Sequence, residues 1–542
     1  MSPDLAGTSP GRAFDYIVVG AGSAGCAVAS RLSEDESAAV LVLEAGGWDE
    51  RPEIHRTDAA AVFALLASEW SPDIDWGYAT EPEPALDGRR IPVARGKVAG
   101  GCSSVNALMW VRGSRHDYDR WAALGNPGWS YEDVLPYFRR AEDYSGGPSA
   151  LRGTGGPVRV RDLDDPTPLA RAFVTGAAEL GYTAPESDYN GERQDGYGFL
   201  YQTTRDAANS RSSTADGYLR PALKRPNLTV EVGARATRLI LDGSRVTGVE
   251  YERGGRLHRV RAEREVVVSA GAFESPKLLM LSGIGPAAHL RSHGIDCVQN
   301  LPGVGGNLQD HLFVPVCYQS LQEHPEGALI SEAGLFTHTK DAGPAAPPDL
   351  QFTFGPIKFL APDAPADHHR GPGFTFAPIS LLPQSRGRLR LRSADPTANA
   401  VVRANYLASP ADTDVLVHGT LLARELAHTS AFGPFRGAEL GPGERVTDPR
   451  ELRGYVAAHA TTLWHPVGTC RMGTGPDAVT DAELRVHGID GLRVADASVM
   501  PTIVAGNTNA PSVMIGEKAA ALIQQSQSHT SLRTEGNPHA HV

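Results

Sequence analysis

The apolar positions of the chain first gather in a short run at residues 14–19, FDYIVV, the pattern of a buried strand. Gly20, Gly22 and Gly25 follow it as G-x-G-x-x-G, and an Ala-rich stretch compatible with a helix fills residues 26–33. A second apolar run at 40–43 ends on Glu44. Residues 59–67, 129–142, 168–180 and 415–427 read as further helices. Residues 228–269 break into alternating runs separated by glycine-containing turns, which predicts a meander of strands. Residues 349–354, 374–382 and 387–392 read as strands of a second sheet.

The first of these patterns carries chemistry. Gly20 allows a tight turn from strand to helix, Gly22 lets backbone approach a pyrophosphate, and Gly25 lets the helix pack on the strand. The helix N-terminus offers free N–H groups to the phosphates. Glu44, 22 positions after Gly22, suits a ribose hydroxyl, and an acid there disfavours NADP. The stretch alone does not separate FAD from NAD.

Composition narrows the class. With 542 residues, two domains are the natural expectation. Hydrophobic residues at 41% and charged residues at 21% describe a globular protein. The net charge of −12 and the lack of a basic stripe argue against nucleic-acid binding. No apolar run reaches the ~18 residues of a membrane helix, and the first residues lack the apolar middle of a signal peptide. Cytoplasm is therefore the expected compartment. Five scattered cysteines without C-x-x-C spacing argue against a zinc site or a disulfide framework, and no metal site is expected.

Three further regions bear on identity. Residues 95–117 read RGKVAGGCSSVNALMWVRGSRHD, residues 271–285 read GAFESPKLLMLSGIG, and the C-terminal part holds WHPVGTCRMG from Trp464, LRVADASVMP from Leu492 and GNTNAPSVMIGEKAA from Gly506. In this order they resemble the signatures of the glucose–methanol–choline (GMC) oxidoreductases, over residues 14–523. The resemblance implies an α/β fold: a Rossmann-like FAD-binding domain plus a discontinuous α+β substrate domain whose antiparallel sheet roofs the flavin. It implies FAD-binding parts at 14–156, 227–311 and 465–523 and substrate-domain parts at 157–226 and 312–464; the polar ends at 1–13 and 524–542 read as disordered tails.

The same resemblance assigns residues. FAD would be held by Gly20, Gly22, Ser23, Ala24, Gly25, Glu44 and Ala45 of the first motif, and by Trp76, Val98, Gly101 and Asn106. Val232 would pair with adenine through its backbone, Asp496 and Ala497 would meet the pyrophosphate–ribityl region, and Pro511 would line the flavin. Where choline oxidases carry a flavin-linking histidine this chain has Val105, so the FAD is expected to be non-covalent.

The implied reaction is oxidation of a primary alcohol to an aldehyde. The residues alone do not choose among His465, His459 and His311; the block WHPVGTCRMG selects His465 as the base that takes the hydroxyl proton. Asn509 is expected to donate to the developing alkoxide, with helix capping as its plainer role. The hydride passes to flavin N5, and O2 or another electron acceptor reoxidises the flavin.

No tryptophan lies between 307 and 336, where choline oxidases place caging residues, so an uncharged aryl or furanic alcohol is favoured over choline. Trp110, Phe352, Phe354, Phe376 and Trp464 are the expected apolar wall of the substrate site. The alternative is an alcohol or choline dehydrogenase using a quinone or protein acceptor; a hydroxynitrile lyase-type non-redox flavoprotein ranks below both. The sequence is compatible with an oligomer.

Overall fold

The computed structural model describes residues 13–66, 73–183, 188–325, 327–339, 346–360 and 364–535. Its first sheet is laid down by the runs rich in Val, Ile and Leu. Strand Ala13–Val19 lies between Val40–Leu43 and Arg256–Val268 and is parallel to both. Leu228–Glu231 extends the parallel set on one side, and Leu492–Val494 pairs in parallel with Arg256–Val268. Arg245–Arg253 and Ala234–Asp242 continue it as an antiparallel meander. Strands 13–19 and 40–43 are almost wholly buried, as parallel strands covered on both faces must be. Helix Ser23–Leu32 packs on the C-terminal helix Asn509–Glu535.

The second sheet is antiparallel and contributed by distant stretches. Its strands run in the order Arg436–Gly441, Val316–Ser320, Gly373–Ser380, Leu350–Gly355, Ala333–Thr337, Gly198–Leu200. One face packs on helices Pro168–Glu179 and Pro410–Ala427. Phe352, Phe354, Phe374 and Phe376 fill that layer with Phe173 and Phe432.

Two expectations change here. Strand Arg388–Arg390 does not join the second sheet; it pairs with Val401–Arg403 in a ribbon of two. The stretch from Gln524 to Glu535, expected as tail, continues the last helix. Gln524 donates to the Arg31 carbonyl at 3.2 Å and Gln527 accepts from Arg264 at 2.7 Å, so side-chain bonds hold this extension to the first domain. Residues 1–12, 536–542 and Ala67 of the expected helix lie outside the described residues. Among the described residues no helix is long and apolar enough to cross a membrane.

Candidate active site

A cavity of about 310 Å³ lies where the first sheet's strand ends meet the second sheet. At one end the glycine motif builds its wall. Gly20 has φ +98°, which only glycine adopts without cost, and a Cβ on Gly25 would sit 1.9 Å from the Gly20 carbonyl oxygen. The helix that starts at Ser23 is thereby pressed on the turn, with its N-terminus open to the cavity through Gly22, Ser23 and Ala24. A Cβ on Gly101 would lie 2.7 Å from Gly22 Cα, so two glycine loops touch backbone to backbone.

Glu44 accepts from Ala21 N at 2.8 Å and Gly46 N at 2.7 Å. Burial raises its pKa, and these two N–H groups oppose that shift. The Trp76 ring is faced by Lys97, Arg235 and Lys277 at 5.7, 5.7 and 6.0 Å. Asp496 accepts from Gly271 N, Ser275 Oγ and Ser498 N, tying strand Leu492–Val494 to helix Gly271–Leu281.

At the other end stand His465 and its supports. One oxygen of buried Asp310 accepts both the His311 and His465 backbone N–H groups, at 2.9 and 2.8 Å. The other accepts Tyr406 Oη and Thr462 Oγ1, each at 2.6 Å. Trp464 has φ +61°, an uncommon conformation for a bulky residue. It is held there by its N–H bond to Thr462 Oγ1 at 2.8 Å and by Arg95, which donates to its carbonyl at 2.5 Å. The turn aims His465 into the cavity. Its Nδ1 lies 3.0 Å from His311 Nδ1, and its Nε2 lies 3.4 Å from Asn507 Nδ2. Burial holds the His465 pKa well below the ordinary value, with His311 and Arg95 adding to the shift. The imidazole is neutral and able to accept a proton at neutral pH.

Of the expected cofactor residues, Gly20, Gly22, Ser23, Ala24, Glu44, Ala45, Trp76, Gly101, Asn106, Asp496 and Ala497 line the cavity. Gly25, Val98, Val232 and Pro511 do not: Gly25 is spent on helix packing, and Val98 belongs to a small core with Ile54, Ile74 and Val105. Val105 itself reaches the cavity wall.

Asn509 is not the residue beside His465. It opens the last helix, and its Oδ1 accepts from Ser23 Oγ at 2.8 Å. Asn507, two residues earlier in the turn, faces the histidine, and its buried Oδ1 has no protein partner.

The substrate wall also differs from expectation. Only Trp464 of the five residues lines the cavity. Trp110 is buried and donates to Glu142 at 3.0 Å. Phe352, Phe354 and Phe376 point into the helix layer, so the cavity face of the same strands belongs to Thr353, Gly355, Thr375 and Ala377. Thr353 pairs with Ala377 and Gly355 with Thr375 across the ladder.

The reading from sequence missed Asn507, Met109, Phe313, Phe359, Ser331 and Arg95, all on the wall. Phe313 and Phe359 meet edge-to-face at 5.3 Å, so the wall has aromatic faces without a tryptophan at 307–336. The acids on the wall are Glu44, Glu274 and Asp496. Glu274 is engaged by Tyr78 and Lys277, and no carboxylate among the lining residues belongs to the second sheet or to the His465 turn.

The open helix N-terminus, the touching glycine loops and the orphaned Asn507 oxygen fit a bound dinucleotide with its reactive ring toward His465. Known proteins point the same way. The GMC oxidoreductase family models match residues 14–313 and 383–516. An oxygen-dependent choline dehydrogenase of Sinorhizobium fredii is 44% identical over 533 residues, covering 93% of this chain and 94% of the relative. The structure of pyridoxine 4-oxidase from Mesorbium loti superposes with a TM-score of 0.87 at 32% identity, covering 94% of this chain and 99% of that one. A formate oxidase structure gives 0.86 at 27% identity, covering 96% and 100%.

Proposed function

The chain belongs to the GMC oxidoreductase family, and on that premise we propose that it oxidises a primary alcohol to an aldehyde, with His465 as the base. It is an FAD-dependent alcohol oxidoreductase, like its relatives. FAD supplies the hydride acceptor when bound. The chain's own part is proton transfer and positioning. His465 Nε2 takes the hydroxyl proton, and Asn507, in the role first expected of Asn509, donates its amide N–H to the developing alkoxide. The observation that carries this is the His465 ring on the cavity wall with its Nε2 facing the Asn507 amide. Val105 has no nucleophilic atom at the wall, which supports a non-covalent FAD.

The relatives' names support a choline-type alcohol and the dehydrogenase alternative above the aryl or furanic oxidase. Phe313, Phe359 and Trp464 supply faces that attract a quaternary ammonium. A specific observation favours the second reading, an uncharged alcohol: the reacting end has no carboxylate to balance a cation. The test is flavin bleaching under argon with choline, benzyl alcohol and pyridoxine. Bleaching by choline at least tenfold faster than by the others is the expected result. The reverse order replaces choline by an uncharged alcohol. No bleaching by any alcohol overturns the proposal. Admitting air then reads the acceptor: fast recovery with peroxide indicates O2, slow recovery a quinone or protein.

A further inference from the structure

We propose that His311, a positioning residue outside the cavity wall, fixes His465 in the tautomer that presents a lone pair to the substrate. The argument is donor accounting through a buried chain of three groups. His311 Nε2 lies 3.0 Å from the carbonyl oxygen of Leu381. A carbonyl can only accept, so Nε2 carries the hydrogen. His311 is fully buried, and burial pushes its pKa down to about 3, so the ring has only that one N–H. Its Nδ1 is therefore a lone pair.

His465 Nδ1 sits 3.0 Å from that lone pair. Two lone pairs at this distance repel, so His465 Nδ1 must be the donor. The single hydrogen of neutral His465 is then used up on the buried side, and Nε2 is left as an acceptor. The Asn507 amide nitrogen lies 3.4 Å from Nε2, a long contact compatible with an acceptor there; its second N–H is left for the alkoxide, and substrate displaces the first from the lone pair. The rings meet edge to face, 5.3 Å apart, and Asp310 holds both backbones through one oxygen, which fixes the two Cα positions from which the rings reach each other.

The consequence is a base prepared before substrate arrives. In the opposite tautomer Nε2 would carry hydrogen and could take no proton from a hydroxyl. When Nε2 accepts the proton, the resulting imidazolium keeps its Nδ1–H bond to His311, which stabilises the charge without moving any heavy atom. The substrate proton ends on Nε2, and the N–H at Nδ1 stays where it was.

This rests on His465 being the base, and the test separates the two ideas. The flavin-loaded protein is labelled with 15N-histidine and observed without substrate; the His465 signals are identified by their loss in His465→Gln. A pyridine-type shift at Nε2 and a pyrrole-type shift at Nδ1 are expected, and the reverse assignment overturns the inference whatever the enzyme oxidises. In His311→Phe, which keeps an aromatic ring and removes the acceptor, the two signals should exchange or average; an unchanged tautomer overturns the inference.

Kinetics add a rescue. His311→Phe should slow flavin reduction by roughly 10²-fold or more, and His311→Asn, whose Oδ1 restores an acceptor, should recover at least tenfold of that. Thermal unfolding separates a structural role: the Asn rescue should appear in flavin reduction whether or not Asn restores stability, and Asn no faster than Phe overturns the inference.

Discussion

At its nucleotide end the cavity is built around a local motif, Gly20, Gly22, Ser23, Ala24, Glu44 and Ala45, to which Trp76, Gly101, residues 234–236 and 269–274 and Asp496 are added from farther along the chain. At its reacting end Phe313, Thr353, Thr375, residues 463–466 and Asn507 come from five separate stretches, and His311 supports them from behind. The first end works through backbone: positive φ, close approach and free N–H groups. The second works through side chains whose directions are set by remote partners, such as Asp310 for both histidines and Arg95 for the Trp464 turn. Backbone chemistry tolerates almost no change of residue, whereas side-chain chemistry can fail without loss of the cofactor.

That contrast can be broken most directly by paired variants. Gly25→Ala places a Cβ 1.9 Å from the Gly20 carbonyl oxygen, against backbone that cannot yield. The expected outcome is protein purified without flavin, read from its visible spectrum. His465→Ala should keep its flavin and lose roughly 10²–10⁴-fold in turnover. Flavin retained in the first variant, or lost in the second, would erase the distinction between the two ends.

A smaller effect tests the two faces of the roofing sheet. Phe354→Ala removes a ring packed on Phe173 and Phe432 behind the sheet. It should cost about 3–5 kcal/mol of stability in denaturant unfolding and leave the order of preferred alcohols unchanged. A changed substrate order would return Phe354 to the substrate wall.

The finest comparison separates the two asparagines. Asn507→Ala should slow flavin reduction by roughly 10²-fold, the scale of losing one donor to a developing oxyanion. Asn509→Ala removes the bond from Ser23 and should cost about 1 kcal/mol of stability while flavin reduction stays within about threefold. Equal kinetic losses would deny Asn507 its special place.

The glycine turn, the strand before it and Glu44 after it were readable from sequence, because they lie within about thirty positions of one another; the order of the strands was not, since strand Ala13–Val19 takes Arg256–Val268 as its neighbour. That Val105 stands where choline oxidases link their flavin came from the family resemblance, and a valine has no linking atom in any fold. The sheet faces were not readable. Strands Leu350–Gly355 and Gly373–Ser380 are buried at every position; alternation separates Phe352 and Phe354 from the more polar Gln351, Thr353 and Gly355, but it does not say which set faces a ligand and which faces the rest of the core. The helices on one side and the cavity on the other make that choice. The two asparagines of GNTNAPS are equivalent in chemistry, and only the point where the last helix begins turns Asn509 to Ser23 and Asn507 to the histidine. Among eighteen histidines the sequence motif picked His465, but its partner, 154 positions away, was set by one carboxylate holding both backbones in place. Local backbone demands are written in neighbouring residues; side-chain encounters across hundreds of positions exist only once the two sheets have closed on each other.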